Sequence, residues 1–235
     1  LISRLEALLL TVAAVPVLAT GCSDTPRSCD VDNASLIMSA TVSDLDSGVE
    51  VEIELETGSN GSGTALALCP DDQLFVNGVE TEELRALGHL YYTVDFDEPD
   101  PSYEITLARK DHDDVSVLVE MPPSFEITAP AENAELSRAA PWEITWAPGW
   151  ADQTIELDVA DEIGSTCIEG LGLELVVDDT GSYGVAGNTL KGQGGSCEVT
   201  ISLTRVIEGE YPSQLAPGGS VTALVKRRRP IVTVE

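Results

Sequence analysis

The chain has 235 residues, enough for one large domain or two of ordinary size. Acidic residues number 41 against 12 basic ones, giving a formal net charge of −29, while 43% of residues are hydrophobic. That charge excludes a general nucleic-acid binder, which must neutralise phosphates with Lys and Arg, and the hydrophobic share excludes a disordered acidic tail. Two His and no dense cluster of ligand residues argue against a zinc or haem enzyme, and no cofactor is expected.

The chain opens on an apolar leader. Arg4 is its only positive charge, and Ala7 to Thr20 is an uncharged run. That run is shorter than the roughly 20 residues of a membrane-spanning helix, and it fits the apolar part of an export signal. It ends Leu18-Ala19-Thr20-Gly21-Cys22. Small residues followed by Cys resemble a bacterial lipobox, with Ala19 where Leu is commoner. The resemblance implies cleavage before Cys22, diacylglycerol on its thiol and a third acyl chain on its new amine. Two or more chains anchor a protein stably, whereas one does so only marginally. The expected layout is a signal peptide over 1–21, lipidation at Cys22 and a polar tether over 22–28. The partner of the anchor is then membrane lipid, in the bacterial cell envelope. Ser23, where an Asp would retain such a protein at the inner membrane, favours the outer membrane or the cell surface.

Five cysteines are an odd number, which needs an explanation in an exported chain. If Cys22 carries lipid, four remain: Cys29, Cys69, Cys167 and Cys197. They are expected to form two disulfides, and three pairings are open, one of them within each half of the chain. No C-x-x-C occurs, so neither redox catalysis nor a zinc ribbon has support.

From Cys29 on, short strands are predicted. Leu36 to Val42 is one, and Val49-Glu-Val-Glu-Ile-Glu-Leu55 alternates strictly, as a half-buried strand does. Leu74 to Val79 contains Asn77-Gly78, the strongest short hairpin signal. Residues 81–87 (TEELRAL) suggest one or two helical turns. Leu90 to Asp95, Tyr103 to Ala108 and Val115 to Val119 complete a first sandwich over 29–121. Met121-Pro122-Pro123 then marks a stiff linker, 122–124, because adjacent prolines cannot lie inside a paired strand. A second set of about seven strands begins at Phe125 and runs to Glu235, with Trp142 to Trp146, Thr154 to Val159, Leu173 to Val177 and Val199 to Arg205 among them. The fold class is all-β: two consecutive immunoglobulin-like β-sandwich domains, 29–121 and 125–235, after a signal peptide.

The second region carries Phe125-Glu-Ile-Thr-Ala-Pro130, Trp142-Glu-Ile-Thr-Trp146, Ile155-Glu-Leu157 and Gly181-Ser-Tyr-Gly-Val185 in order. Residues 125–205 thereby resemble the immunoglobulin-like module of Ser/Thr-rich cell-wall and surface-anchored proteins. The resemblance implies an extracellular, non-catalytic module and assigns no functional residue.

Candidate chemistry lies in acidic turns, in aromatics and in one basic run. Asp95 to Asp100, Asp111 to Asp114, Asp44/Asp46 and Asp71-Asp72 could supply oxygens to calcium, or simply form a solvated acidic surface. Trp142 and Trp146 share one strand face and are expected in the core, while Trp150 either stacks on a sugar or tucks against the core. Lys226-Arg-Arg-Arg229, ahead of Pro230, suggests a strand end or turn that meets anionic groups or the protein's own carboxylates. No G-x-S-x-G, H-E-x-x-H or phosphate-binding glycine loop occurs, so no catalytic residue is assigned. The expectation is a lipid-anchored envelope protein with a non-catalytic structural or binding role, whose partners are envelope proteins or glycans. A calcium- or carbohydrate-binding adhesin module is one alternative, and a hydrolase with an unrecognised site is another.

Overall fold

The computed structural model describes residues 25–58, 63–86, 88–161, 167–169, 172–192 and 194–235; the leader and Cys22 lie outside them. Two 3-10 turns, Ser28–Asp30 and Asn33–Ser35, precede the strands. The first half contributes β1 (Leu36–Leu45), β2 (Gly48–Thr57), β3 (Thr64–Ala65), β4 (Gln73–Val76), β5 (Val79–Glu80), β6 (Glu82–Ala86), β7 (His89–Phe96), β8 (Ser102–Ala108) and β9 (Val115–Glu120). The second half contributes β10 (Glu126–Ala129), β11 (Glu135–Ser137), β12 (Trp142–Ala147), β13 (Thr154–Ala160), β14 (Leu173–Asp178), β15 (Ser182–Val185), β16 (Cys197–Glu208) and β17 (Ser220–Val234). The chain is all-β, as its alternation predicts. Asn77 and Gly78 both take positive φ between β4 and β5, as a two-residue hairpin of the primed type requires.

One ten-stranded sheet runs through the molecule in the order β14-β13-β16-β17-β1-β2-β7-β6, with β3 on β2 and β11 on β17. A four-stranded sheet, β5-β4-β8-β9, covers one half of its inner face, and a three-stranded sheet, β10-β12-β15, covers the other. Each cover encloses a core. The first is built on Met38, Val51, Ile53, Tyr92, Tyr103 and Ile105; the second on Phe125, Ile144, Trp146, Leu157, Ile201 and Leu203. The second half is a two-sheet, immunoglobulin-like sandwich: β10-β12-β15 faces β14-β13-β16-β17, and the short β11 adds to β17.

Strand β17 is common to both sandwiches. Its first part pairs in parallel with β1, from Ser39↔Ser220 to Asp44↔Val225, and β16 pairs along nearly its whole length. Val221 and Ala223 lie in the first core, whereas Val225 and Ile231 lie in the second. The basic run is therefore not a strand end or turn but the middle of this strand. Alternation explains how it is accommodated: Lys226 and Arg228 face outward, and Arg227 and Arg229 face the polar junction between the cores. Pro230 falls where β1 has ended and β11 has not begun, the kind of position in which a missing N–H breaks no ladder. The helical turns expected over 81–87 are also corrected, since Glu82–Ala86 is strand β6, paired with β7 from Glu82↔Thr93 to Ala86↔His89. A single helical turn is costly to nucleate, and the ladder of a neighbouring strand replaces it.

Both disulfides join cysteines of the same half, Cys29–Cys69 and Cys167–Cys197, at sequence separations of 40 and 30. Closing loops of that size stabilises each half by about 3–4 kcal/mol in the chain-entropy model. The stretch expected as a tether is already fixed at Pro26, whose carbonyl accepts the Ala67 N–H at 2.9 Å, while the Ser28 N–H returns to the Ala67 carbonyl at 2.8 Å. The disulfide at Cys29 and the buried Ser28 leave little slack there.

Candidate functional site

The buried polar groups sort first by what they hold. Arg205 on β16 is fully buried and pairs with buried Asp179, Nε to Oδ2 at 2.6 Å. The Trp146 indole N–H donates to the other oxygen of Asp179, also at 2.6 Å. The remaining guanidinium nitrogens donate to the carbonyls of Pro123 at 2.7 Å and Pro148 at 2.6 Å. The Phe125 ring lies 4.5 Å from the guanidinium carbon and the Trp150 ring 5.9 Å. Two more arginines lie nearby: Arg227 donates to Ser124 Oγ of the crossing segment at 3.1 Å and to Asp44 Oδ2 at 2.9 Å, and Arg229 donates to the Ile127 carbonyl of β10 at 2.5 Å. The Pro123 carbonyl lies outside any strand, and the Arg205 guanidinium satisfies it instead.

Arg109 does the corresponding work in the first sandwich. It is buried and donates to Asn33 Oδ1 and to the carbonyls of Ser28 and Val31, beside Asp72 at 3.9 Å. Burial pushes its pKa down, and Asp72 and Asp32 oppose that shift. Asp72 in turn accepts from Ser28 Oγ at 2.6 Å and from the Lys110 N–H at 3.0 Å.

The acidic turns raised as calcium candidates are largely engaged in such contacts. Asp44 holds Arg227, Asp100 accepts from Asn77 at 3.0 Å, Asp114 accepts the Arg109 N–H at 2.8 Å and Asp71 pairs with Lys110 at 2.7 Å. Among the described residues, no group of three or more His, Cys, Asp and Glu is placed to hold a metal ion. Trp146 is buried, Trp142 packs half-buried on the second core, and Trp150 is half-buried beside Arg205. His89 stacks on Tyr91, and His112 approaches the Cys29 carbonyl at 3.5 Å. Cys22, the expected lipidation site, lies outside the described residues, and the other four cysteines are the two disulfides.

What remains open is the outer face of the ten-stranded sheet. Ser39, Thr41 and Ser43 of β1 line its middle beside Glu50, Glu52 and Glu54 of β2. Burial raises the Glu52 pKa, and Glu54 and Glu50 raise it further. Toward the other side, two cross-strand rows stand in register: Glu174, Asp158, Ser202, Arg228, and Val176, Glu156, Thr204, Lys226. Glu156, Asp158, Glu174, Ser202, Thr204 and Lys226 line a shallow depression of about 430 Å³. Asp158 and Glu174 are directly opposed like charges, an unfavourable cross-strand pair. The Asp158 pKa is raised chiefly by burial, with Lys226 opposing and Glu174 adding.

Strand β14 ends this sheet and, among the described strands, is hydrogen-bonded to β13 alone. Leu173 and Val177 pack against the second core and Leu175 shares their face by alternation, yet all three are only half-buried. Ile155, Leu157 and Val159, their neighbours on β13, are buried. Val176 on the outer face is 67% exposed, the most exposed of the large hydrophobic residues described. Gly172, at φ +78°, sets the strand's start: a side chain there would run into the Val159 carbonyl. Sequence reading placed the strand but not its position at the end of the sheet, which depends on the pairing order.

No protein-family profile and no curated protein matches the chain. Several solved structures overlap with it weakly. The I9–I11 tandem of titin is 13% identical with a TM-score of 0.23; the overlap covers 82% of this chain and 65% of that one, under two thirds of its length. The fibronectin(III)-like modules of Clostridium thermocellum CbhA are 13% identical with a TM-score of 0.23, covering 81% and 92%. A Salmonella alpha-2-macroglobulin is 13% identical with a TM-score of 0.24, covering 87% of this chain and 15% of that one. Overlap at this level bears on neither ligand nor activity, and the sandwich architecture stands on the chain's own strand pairing.

Proposed function

We propose that this chain is a lipid-anchored protein of the bacterial cell envelope with a non-catalytic, structural or binding role. The observation that carries the reading is the cysteine count. Four cysteines close two disulfides, which belong to an oxidising compartment, and Cys22 is the one left over. It directly follows an apolar run of export type. Pro26, whose carbonyl is tied to Ala67, is four residues on, so the folded body would begin within about 14 Å of the acylated cysteine. A body of net charge −29 held that close would be repelled by an anionic leaflet and project away from it.

The test is the intact mass of the protein from a membrane fraction, with and without reduction. A chain starting at Cys22 with three acyl chains, gaining four hydrogens on reduction, is expected. A lipid-free chain starting elsewhere would overturn the reading.

A further inference from the structure

We propose that the free edge of β14 is a docking site for an extended partner segment in which apolar and basic residues alternate, added to the ten-stranded sheet as a further strand. This rests on the binding half of the role proposed above. Added strands draw affinity from main-chain hydrogen bonds and specificity from alternate side chains.

The two ends of the sheet differ in how they treat an incoming strand. At β6, three of five residues are charged, with both signs, and they occupy both faces: Glu82 on the outer, Glu83 and Arg85 on the inner. Charges on both faces are the usual protection of an edge. At β14, the inner face carries Leu173, Leu175 and Val177 only, and both charges, Glu174 and Asp178, stand on the outer face. The inner side therefore offers an apolar flank of the second core with no covering neighbour among the described residues. The outer side offers carboxylates.

Charge selects the occupant. Glu174 and Asp178 on the edge are joined one strand inward by Glu156 and Asp158. Among the described residues, none of the carboxylates lining the adjoining depression, Glu156, Asp158 and Glu174, makes a hydrogen bond or ion pair, whereas Asp44, Asp72 and Asp179 all do. Lysines or arginines on the outer face of the added strand would meet these carboxylates, with their aliphatic stems on exposed Val176. A second copy of β14 is a poor occupant, because antiparallel pairing would bring Glu174 and Asp178 of the two copies together.

The probe is a fluorescein-labelled peptide of alternating Val and Lys, titrated against the full chain at an ionic strength of about 0.15 M. Two further peptides separate the causes: one of the same composition with Val and Lys in separate blocks, and one alternating Val and Glu. The Val-Lys alternation is expected to bind at least about tenfold more tightly than either, and hydrogen exchange should slow over residues 173–178. Glu174→Lys and Val176→Lys should each weaken binding about tenfold, and Glu82→Lys on the far edge should not. Trp fluorescence shows whether each variant retains its fold, and the two β14 variants back each other should one fail to fold. Equal binding of the block peptide, unchanged affinity in a folded β14 variant, or slowed exchange only elsewhere would each overturn the proposal. The lipid-mass measurement is independent of all of these, so failure here leaves the anchor reading standing.

Discussion

The first sandwich buries Arg109 and the second buries Arg205, and the two cations have different surroundings. Arg109 gathers carbonyls of the N-terminal segment that lies over the first core, with Asp72 at 3.9 Å as its nearest carboxylate. Arg205 is paired at 2.6 Å with Asp179, and its other nitrogens hold the Pro123 carbonyl of the segment that crosses from one sandwich to the other and the Pro148 carbonyl of the turn after β12. In both places a stretch of chain without a strand partner leaves carbonyls to be satisfied, and a five-donor guanidinium supplies the bonds. The difference shows how an all-β chain fixes irregular segments: by backbone capture where the segment hugs one core, and by a buried ion pair where it passes between two.

The comparison can be broken most directly at Arg205. Arg205→Met leaves Asp179 buried without its counter-charge and should lower stability by about 3–5 kcal/mol in denaturant titration. Asp179→Leu combined with Arg205→Met should recover much of that loss, because replacing both partners removes the stranded charge. If the double variant is as unstable as the single one, the carbonyl bonds to Pro123 and Pro148 matter more than the pair.

The disulfides come next. Cys29→Ser with Cys69→Ser, and Cys167→Ser with Cys197→Ser, should each cost about 3–4 kcal/mol, with the longer loop marginally the larger effect. Calorimetry of both would show whether the shared strand β17 makes the sandwiches unfold together. A single transition in both variants is the expected result, and two separated transitions would show that β17 does not couple them.

A smaller effect is expected at the tyrosines of the first core. The Tyr92 hydroxyl accepts the Leu68 N–H at 2.8 Å, and burial raises its pKa, chiefly through lost solvation. Tyr103 is shifted in the same direction for the same reason. A raised folded pKa means that this stability is complete below the unfolded value, about 10, and is lost as pH climbs through the folded value. Melting temperature should therefore fall above about pH 10, and Tyr92→Phe should flatten that fall while costing about 1 kcal/mol at neutral pH.

The smallest effect is at Asp158 on the open face. Its raised pKa means that its ionised form is disfavoured in the fold above the ordinary carboxylate range. Asp158→Asn should raise the melting temperature at pH 7, and the gain should vanish as pH falls below about 4. A variant no more stable at pH 7 would show that Lys226 fully offsets both the burial of Asp158 and the repulsion from Glu174.

Much of this protein was legible in order along the chain. Alternation in Val49–Leu55 and Thr154–Val159 specifies strands because a two-residue period puts every apolar side chain on one face, whatever lies opposite. Asn77-Gly78 specifies its hairpin because both residues tolerate positive φ. The odd fifth cysteine, too, is a matter of counting. Tertiary structure alone decided the rest. Glu82–Ala86 is a strand because β7 offers a ladder, and Lys226–Arg229 can lie inside β17 because a junction of unpaired carbonyls and Asp44 waits on its inner side. The free edge at β14 follows from the order in which ten strands pair. Local sequence encodes which residues alternate. Which strand comes to lie beside which, and therefore which edge is left open, depends on contacts between residues far apart in the chain, and only the folded molecule brings those together.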